Sequence, residues 1–150
     1  MNETVALTPV TKSVHVACDI EHAFRVFTRG IGAWWPLDTH AIHTGDVREV
    51  VWEEREGGEV YEISNDGAKA HWATVLAWEP PARAVIAWHV NPDAPAATEV
   101  EVRFAPEGGG THIDLEHRNW ERLGDQASAM RGAYDGGWDA VLGKYVAHLS

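Results

Sequence analysis

DQASAMRGAYDGGWDAVLGKYVAHL, residues Asp125 to Leu149, is the stretch whose reading decides the fold. At about 100° per residue, Ala127, Met130, Tyr134, Trp138, Val141, Leu142, Tyr145 and Leu149 fall within an arc of about 120°. Asp135, Asp139 and Gly143 fall outside that arc. The spacing predicts a long amphipathic helix that buries one stripe. Arg131 lands on that stripe, where it pairs either with an acidic ligand group or with Glu116 or Glu121. Gly132, Gly136 and Gly137 each cost about 1 kcal/mol of helix propensity relative to alanine. Close approach of backbone or ligand would account for them, and so would a kink.

The helix needs a surface to cover, and the preceding residues supply one. Val10, Val14 and Val16 alternate with polar residues and predict a strand over about 10–17. Asp19 is a good N-cap for a helix carrying Ile20, Ala23, Phe24 and Phe27, ended by Gly30. A short helical piece follows from Ile31 to Trp35 and stops at Pro36. Strands are expected over Val47–Glu54, Val60–Ser64, Ala70–Glu79, Ala84–Val90, Thr98–Phe104 and Thr111–His117. Between them lie Glu56-Gly57-Gly58, Asn65-Asp66-Gly67, Pro80-Pro81, the loop NPDAPA and Glu107-Gly108-Gly109-Gly110. Such short links imply an antiparallel meander. The face presented by the Trp72–Trp78 strand stays open, because both sides carry apolar groups. The order is one strand, two helices, six strands and one long helix, over a single domain spanning residues 1–150. A curved seven-stranded antiparallel sheet then has one face to bury, and the C-terminal helix is the element long enough to cover it.

Composition narrows the function. The chain carries 12 basic and 23 acidic residues, a formal net charge of −11. That surface repels phosphate backbones and anionic lipid heads, so nucleic-acid and membrane partners are not expected. The N-terminus lacks the basic and apolar regions of a signal peptide, no stretch is long enough to span a bilayer, and the single Cys18 cannot form an internal disulfide. These features point to a cytoplasmic protein. There is no GxSxG, no reactive context around Cys18 and no phosphate-binding loop, since the glycine run at 108–110 leads into a strand. His40, His43 and Asp46 lie close together in a loop, but a zinc site needs three or four ligands fixed by their surroundings, so no metal and no cofactor is expected.

The unusual feature is eight tryptophans: Trp34, Trp35, Trp52, Trp72, Trp78, Trp88, Trp120 and Trp138. Trp34, Trp35, Trp88 and Trp138 are placed around the hollow between sheet and helix, either as walls of a cavity or as plain core. Met130 and Tyr134 share the helix stripe. His117 shares a strand face with Ile113 and Leu115, so it either meets a ligand or sits satisfied at the strand end. Tyr61 and Tyr134 are candidate polar points in an apolar interior.

Several motifs together resemble the activator of heat-shock-protein-90 ATPase (Aha-type) family, within the START/Bet v 1-like (SRPBCC) superfamily. They are Trp34-Trp35-Pro36, Gly57-Gly58-Glu59-Val60-Tyr61-Glu62, Trp78-Glu79-Pro80-Pro81 with Trp88, and Thr98-Glu99-Val100. Gly110-Thr111, Leu115-Glu116-His117, Trp120-Glu121, and Arg131, Tyr134, Gly137 and Trp138 complete them, over about residues 12–149. The resemblance implies an α+β helix-grip fold, with a cavity that takes lipids, sterols, polyketides or hormones in the superfamily. The expected function is binding of an apolar or aromatic small molecule by Trp34, Trp35, Tyr61, Trp88, His117, Met130, Tyr134 and Trp138, with no catalytic set assigned. Two alternatives stand beside it. One is a cyclase-, dehydratase- or hydrolase-like enzyme using the same cavity, with His117 and Tyr61 as its polar pair. The other is a protein-interaction module that contacts a chaperone or a second copy of the chain.

Overall fold

The alternating valines of the first segment form β1, Val10–Val16, and Asp19 caps α1, Ile20–Phe27, by accepting a hydrogen bond from the His22 amide at 2.9 Å. A 3₁₀ turn at Ile31–Ala33 leads to the loop before β2, Val47–Trp52. Then come β3, Glu59–Ser64, β4, Lys69–Glu79, β5, Arg83–Trp88, β6, Thr98–Glu107, and β7, Gly110–Arg118. The helix α2 runs from Ala127 to His148, after a 3₁₀ segment at Trp120–Gln126 whose Gly124, at φ 61°, breaks the path between them. The computed structural model describes residues 8–88 and 98–149. The N-terminal residues 1–7, the end of the strand expected to reach Val90, and the loop NPDAPA lie outside the described residues.

The strands form one antiparallel sheet in the order β1-β7-β6-β5-β4-β3-β2, curved around α2. A meander of six strands accounts for β2 to β7, and β1 closes on β7 through Val10 opposite His117 and Val16 opposite Thr111. Two bulges in β4 answer the question of which way its tryptophans face. Val60 pairs with Ala73 but Tyr61 pairs with His71, so Trp72 is an extra residue, and Trp72 and Ala73 are both buried. Val75 pairs with Ile86 but Ala77 with Val85, so Leu76 is the second extra residue. It is pushed outward, 41% exposed, and Trp78 returns to the inner face against Phe24. A bulge shifts the alternation by one position, which no period-2 reading registers.

The helix does not meet the sheet evenly. Its C-terminal half is packed tight. Tyr145 is fully buried, with ring centroids 5.1 Å from Phe27 and 5.0 Å from Trp34, and its hydroxyl donates to the Ala23 carbonyl at 2.8 Å. Phe24 and Phe104, 5.1 Å apart, extend this packing to the sheet. In the N-terminal half Met130, Ala133, Tyr134 and Gly137 are only partly buried or exposed, and a gap opens there. On the outer flank Lys12 of β1 bridges Asp135 and Asp139 of α2 at 2.8 and 3.0 Å. Arg131 bonds neither Glu116 nor Glu121. It donates to the Thr8 carbonyl at 2.6 Å and the Pro9 carbonyl at 3.3 Å, because α2 lies over the start of β1. Among the described residues no helix is long and apolar enough to cross a membrane.

Candidate functional site: a tryptophan-walled pocket

The gap under the first half of α2 is a cavity of about 320 Å³ lined by Trp35, His40, Ala41, Trp88, Met130, Ala133, Tyr134, Gly137, Trp138 and Val141. Three elements converge on it. The loop after the 3₁₀ turn brings Trp35, His40 and Ala41, β5 brings Trp88, and α2 brings the rest. The indoles pack edge to face or tilted, with centroids 5.9 Å apart for Trp35 and Trp138, 6.0 Å for Trp35 and Trp88, and 6.3 Å for Trp88 and Trp138. Trp72 stands behind them, 5.1 Å from Trp35 and 6.0 Å from Trp88. These are the separations at which ring quadrupoles attract.

Every indole N–H of the wall is already used. Trp35 Nε1 donates to the His40 carbonyl at 2.7 Å, Trp88 Nε1 to Tyr134 Oη at 2.8 Å, and Trp138 Nε1 to His117 Nδ1 at 3.0 Å. The wall therefore offers a ligand apolar and π surface. Two polar groups remain at the cavity. Tyr134 Oη accepts from Trp88, and its own proton has no acceptor among the described residues. Burial pushes this phenol above its ordinary value, against the opposing bond from Trp88, so it stays protonated and is a donor. His40 is exposed at the mouth. Its Nδ1 lies 2.7 Å from Thr39 Oγ1, and its Nε2 has no partner among the described residues.

His117 lies behind the pocket. It is fully buried between Trp120, at 4.2 Å, and Tyr134, at 5.0 Å. An indole N–H can only donate, so Nδ1, which receives Trp138, carries no proton. Nε2 then carries the proton and donates to Thr98 Oγ1 at 2.7 Å. Burial lowers its pKa to about 3, so the ring is neutral near pH 7 with both nitrogens engaged. It orients Trp138 and has no free nitrogen for acid–base work.

Of the residues singled out from sequence, Trp35, Trp88, Met130, Tyr134 and Trp138 come together around the cavity. Trp34 does not. It packs against Phe27 and Tyr145, with its N–H on the Val26 carbonyl at 2.8 Å. Tyr61 is on the other side of the sheet, its ring 4.3 Å from Lys69 Nζ, because Val60, Glu62 and Ser64 hold the inward positions of β3. The pair His117 and Tyr61 is therefore not assembled. His40, His43 and Asp46 are divided among different partners: Thr39, the Glu62 carboxylate, and the Asn65 side chain at 2.7 Å.

Glu62 escaped the sequence reading. Its side chain is fully buried, and it accepts from the amides of Ile42 (2.7 Å) and His43 (2.6 Å), from His43 Nδ1 (2.7 Å) and from Trp72 Nε1 (2.7 Å). Burial alone would raise its pKa. These donors outweigh that and hold the carboxyl below its usual range. The signal was present, since period 2 puts Glu62 on the same face as Val60.

The chain resembles known proteins over nearly its whole length. The family model for activator of Hsp90 ATPase homolog 1-like protein matches residues 17–150. Among solved structures, the anthrahydroquino-γ-pyrone synthase Txn09 is 36% identical, with 87% of this chain and 88% of that chain covered and a TM-score of 0.60. The self-sacrificing resistance protein CalC from Micromonospora echinospora is 28% identical, with 95% and 94% covered and a TM-score of 0.72. The Aha1 dimer from Colwellia psychrerythraea shares the fold at 16% identity, 95% and 96% coverage and a TM-score of 0.68. No protein of curated function matches the chain. The seven-stranded sheet gripping α2 and the match over 134 of the 150 residues (17 to 150) agree, and the chain belongs to the family of activator of Hsp90 ATPase homolog 1-like proteins.

Proposed function

We propose that the chain binds a compact, flat aromatic small molecule, of the hydroxyquinone or related polyketide class, in the pocket between α2 and the sheet. The observation that carries this reading is the wall itself: three indoles with no spare N–H around a cavity of about 320 Å³. That volume is at the low end of the roughly 300–1,000 Å³ of small-molecule sites, which favours a small planar ligand over a lipid. The 36%-identical relative, a synthase of an anthrahydroquino-γ-pyrone, points to the same class of molecule. Tyr134 supplies the one inner polar contact, a hydroxyl donating to a carbonyl or phenolic oxygen of the ligand.

Alizarin, a dihydroxyanthraquinone, is a suitable probe. Saturable quenching of tryptophan fluorescence at a ratio of one per chain is the expected result. Tyr134→Phe is expected to weaken binding about fivefold, the worth of one neutral hydrogen bond. A linear, non-saturating signal in the wild type would count against the reading.

A second reading, ring closure on a molecule of this class, is favoured by that relative being a synthase. In it Tyr134 and His40 are the groups that touch the substrate. A protein-partner role has weaker support, since the large apolar side chains exposed among the described residues are Ile42 and Leu76.

A further inference from the structure

The pocket rim is a loop, and its attachment is unusual. Between Pro36 and Asp46 the chain turns on itself through the His40 amide to the Pro36 carbonyl (2.8 Å), Gly45 to Leu37 (3.1 Å) and Asp46 to His43 (2.8 Å). These bonds fold the loop but do not fasten its middle to the sheet. Ile42 does not anchor it either, being 42% exposed. The bond from the sheet to the middle of the loop is made by the Glu62 carboxylate, which takes the Ile42 and His43 amides and the His43 ring. The same carboxylate takes Trp72 Nε1, and Trp72 backs Trp35 and Trp88. The rim in turn holds the wall, because the His40 carbonyl receives Trp35 Nε1 at 2.7 Å.

We infer that Glu62 is a positioning residue for the pocket: one buried carboxylate sets the rim loop and the back wall together, and so determines affinity without touching the ligand. The inference rests on the reading of the pocket as a binding site. An ion has been placed inside the sheet where a simple core would take an apolar side chain, and a buried charge is favourable only when its donors are all in place. Its four donors come from two separate structures, the loop and β4, so it couples their positions. A rim fixed before the ligand arrives spares the ligand the ordering of that segment.

Glu62→Gln replaces one acceptor oxygen with a donor amide, so at least one of the four N–H groups loses its partner. The variant is expected to bind alizarin roughly tenfold more weakly, the loss that follows when a few rim side chains must be ordered on binding. Hydrogen exchange at the Ile42 and His43 amides and at the Trp35 and Trp72 indoles is expected to accelerate with it. Val16→Ala, in the core at the far end of β1, is the control for general destabilisation: lower melting temperature, unchanged affinity and unchanged exchange at those four groups. His43→Ala removes one donor and leaves the carboxylate in place, so it serves if Glu62→Gln does not fold, and it should move the same signals the same way. Unchanged exchange at the rim and indoles in both Glu62→Gln and His43→Ala would overturn the positioning role, as would wild-type affinity in both. If the wild type itself fails to bind alizarin, the ligand reading fails, and the exchange measurements still decide whether Glu62 sets the rim.

Discussion

His117→Ala is expected to destabilise the fold by about 3–5 kcal/mol, because it combines a cavity with two orphaned polar groups. The ring is fully buried, and its removal leaves Trp138 Nε1 and Thr98 Oγ1 without their partners. A stability of about 5–15 kcal/mol is usual for a domain, so the loss is a large fraction of the whole. Acid should shrink the difference. In the fold burial holds the pKa at about 3, whereas the unfolded chain titrates near 6.5. Between those values the unfolded state carries the extra proton, so stability rises with pH, by about 1.4 kcal/mol per unit for one group. The contribution of the neutral ring is complete above pH 6.5 and erodes as pH falls toward 3. Urea midpoints of the wild type and of His117→Gln, measured from pH 7 down to pH 4, check this. The two curves should converge on acidification, and a gap that widens would contradict it.

Gly137→Leu is expected to weaken binding roughly a hundredfold while leaving the protein at least as stable. A Cβ built at Gly137 meets nothing within 4 Å, and the residue lines the cavity. The glycine therefore serves no close backbone approach, and what it leaves is volume. Leucine there gains about 0.8 kcal/mol of helix propensity over glycine. A ligand forced to share the space should lose roughly a hundredfold in affinity, since overpacking costs about 1–3 kcal/mol. Gly136→Leu is the matched control: it has the same open surroundings and does not line the cavity, so it should gain stability and keep wild-type binding. Alizarin titrations and melting temperatures of both variants separate a blocked site from a damaged fold.

These two positions also mark how much could be read from the chain. Strand spans at Val10–Val16, Glu59–Ser64, Lys69–Glu79 and Gly110–Arg118 agree with the alternation and turn residues to within a residue or so, because both are local. The helix stripe did the same for Met130, Tyr134 and Trp138. What escaped was non-local. Tyr61 is the more apolar neighbour of Glu62, yet Glu62 takes the inward position because a loop twenty residues earlier supplies its donors. Trp72 and Trp78 could not be oriented because bulges reset the parity of β4. Trp34 and Trp35 are adjacent and equally buried, and only the docking of α2 sends one into the core and the other to the pocket. His40 gave no periodic signal at all, being a loop residue.

In the proposed binding mode a ligand sits against Trp35, Trp88 and Trp138. The indole N–H resonances of ¹⁵N-labelled protein report on it directly, one signal per tryptophan. On titration with alizarin the signals of those three should move together and saturate, while Trp34, Trp52 and Trp78, away from the cavity, stay in place. Saturating shifts confined to Trp34, Trp52 and Trp78, or no shift at any of the three pocket indoles, would rule out binding in this pocket.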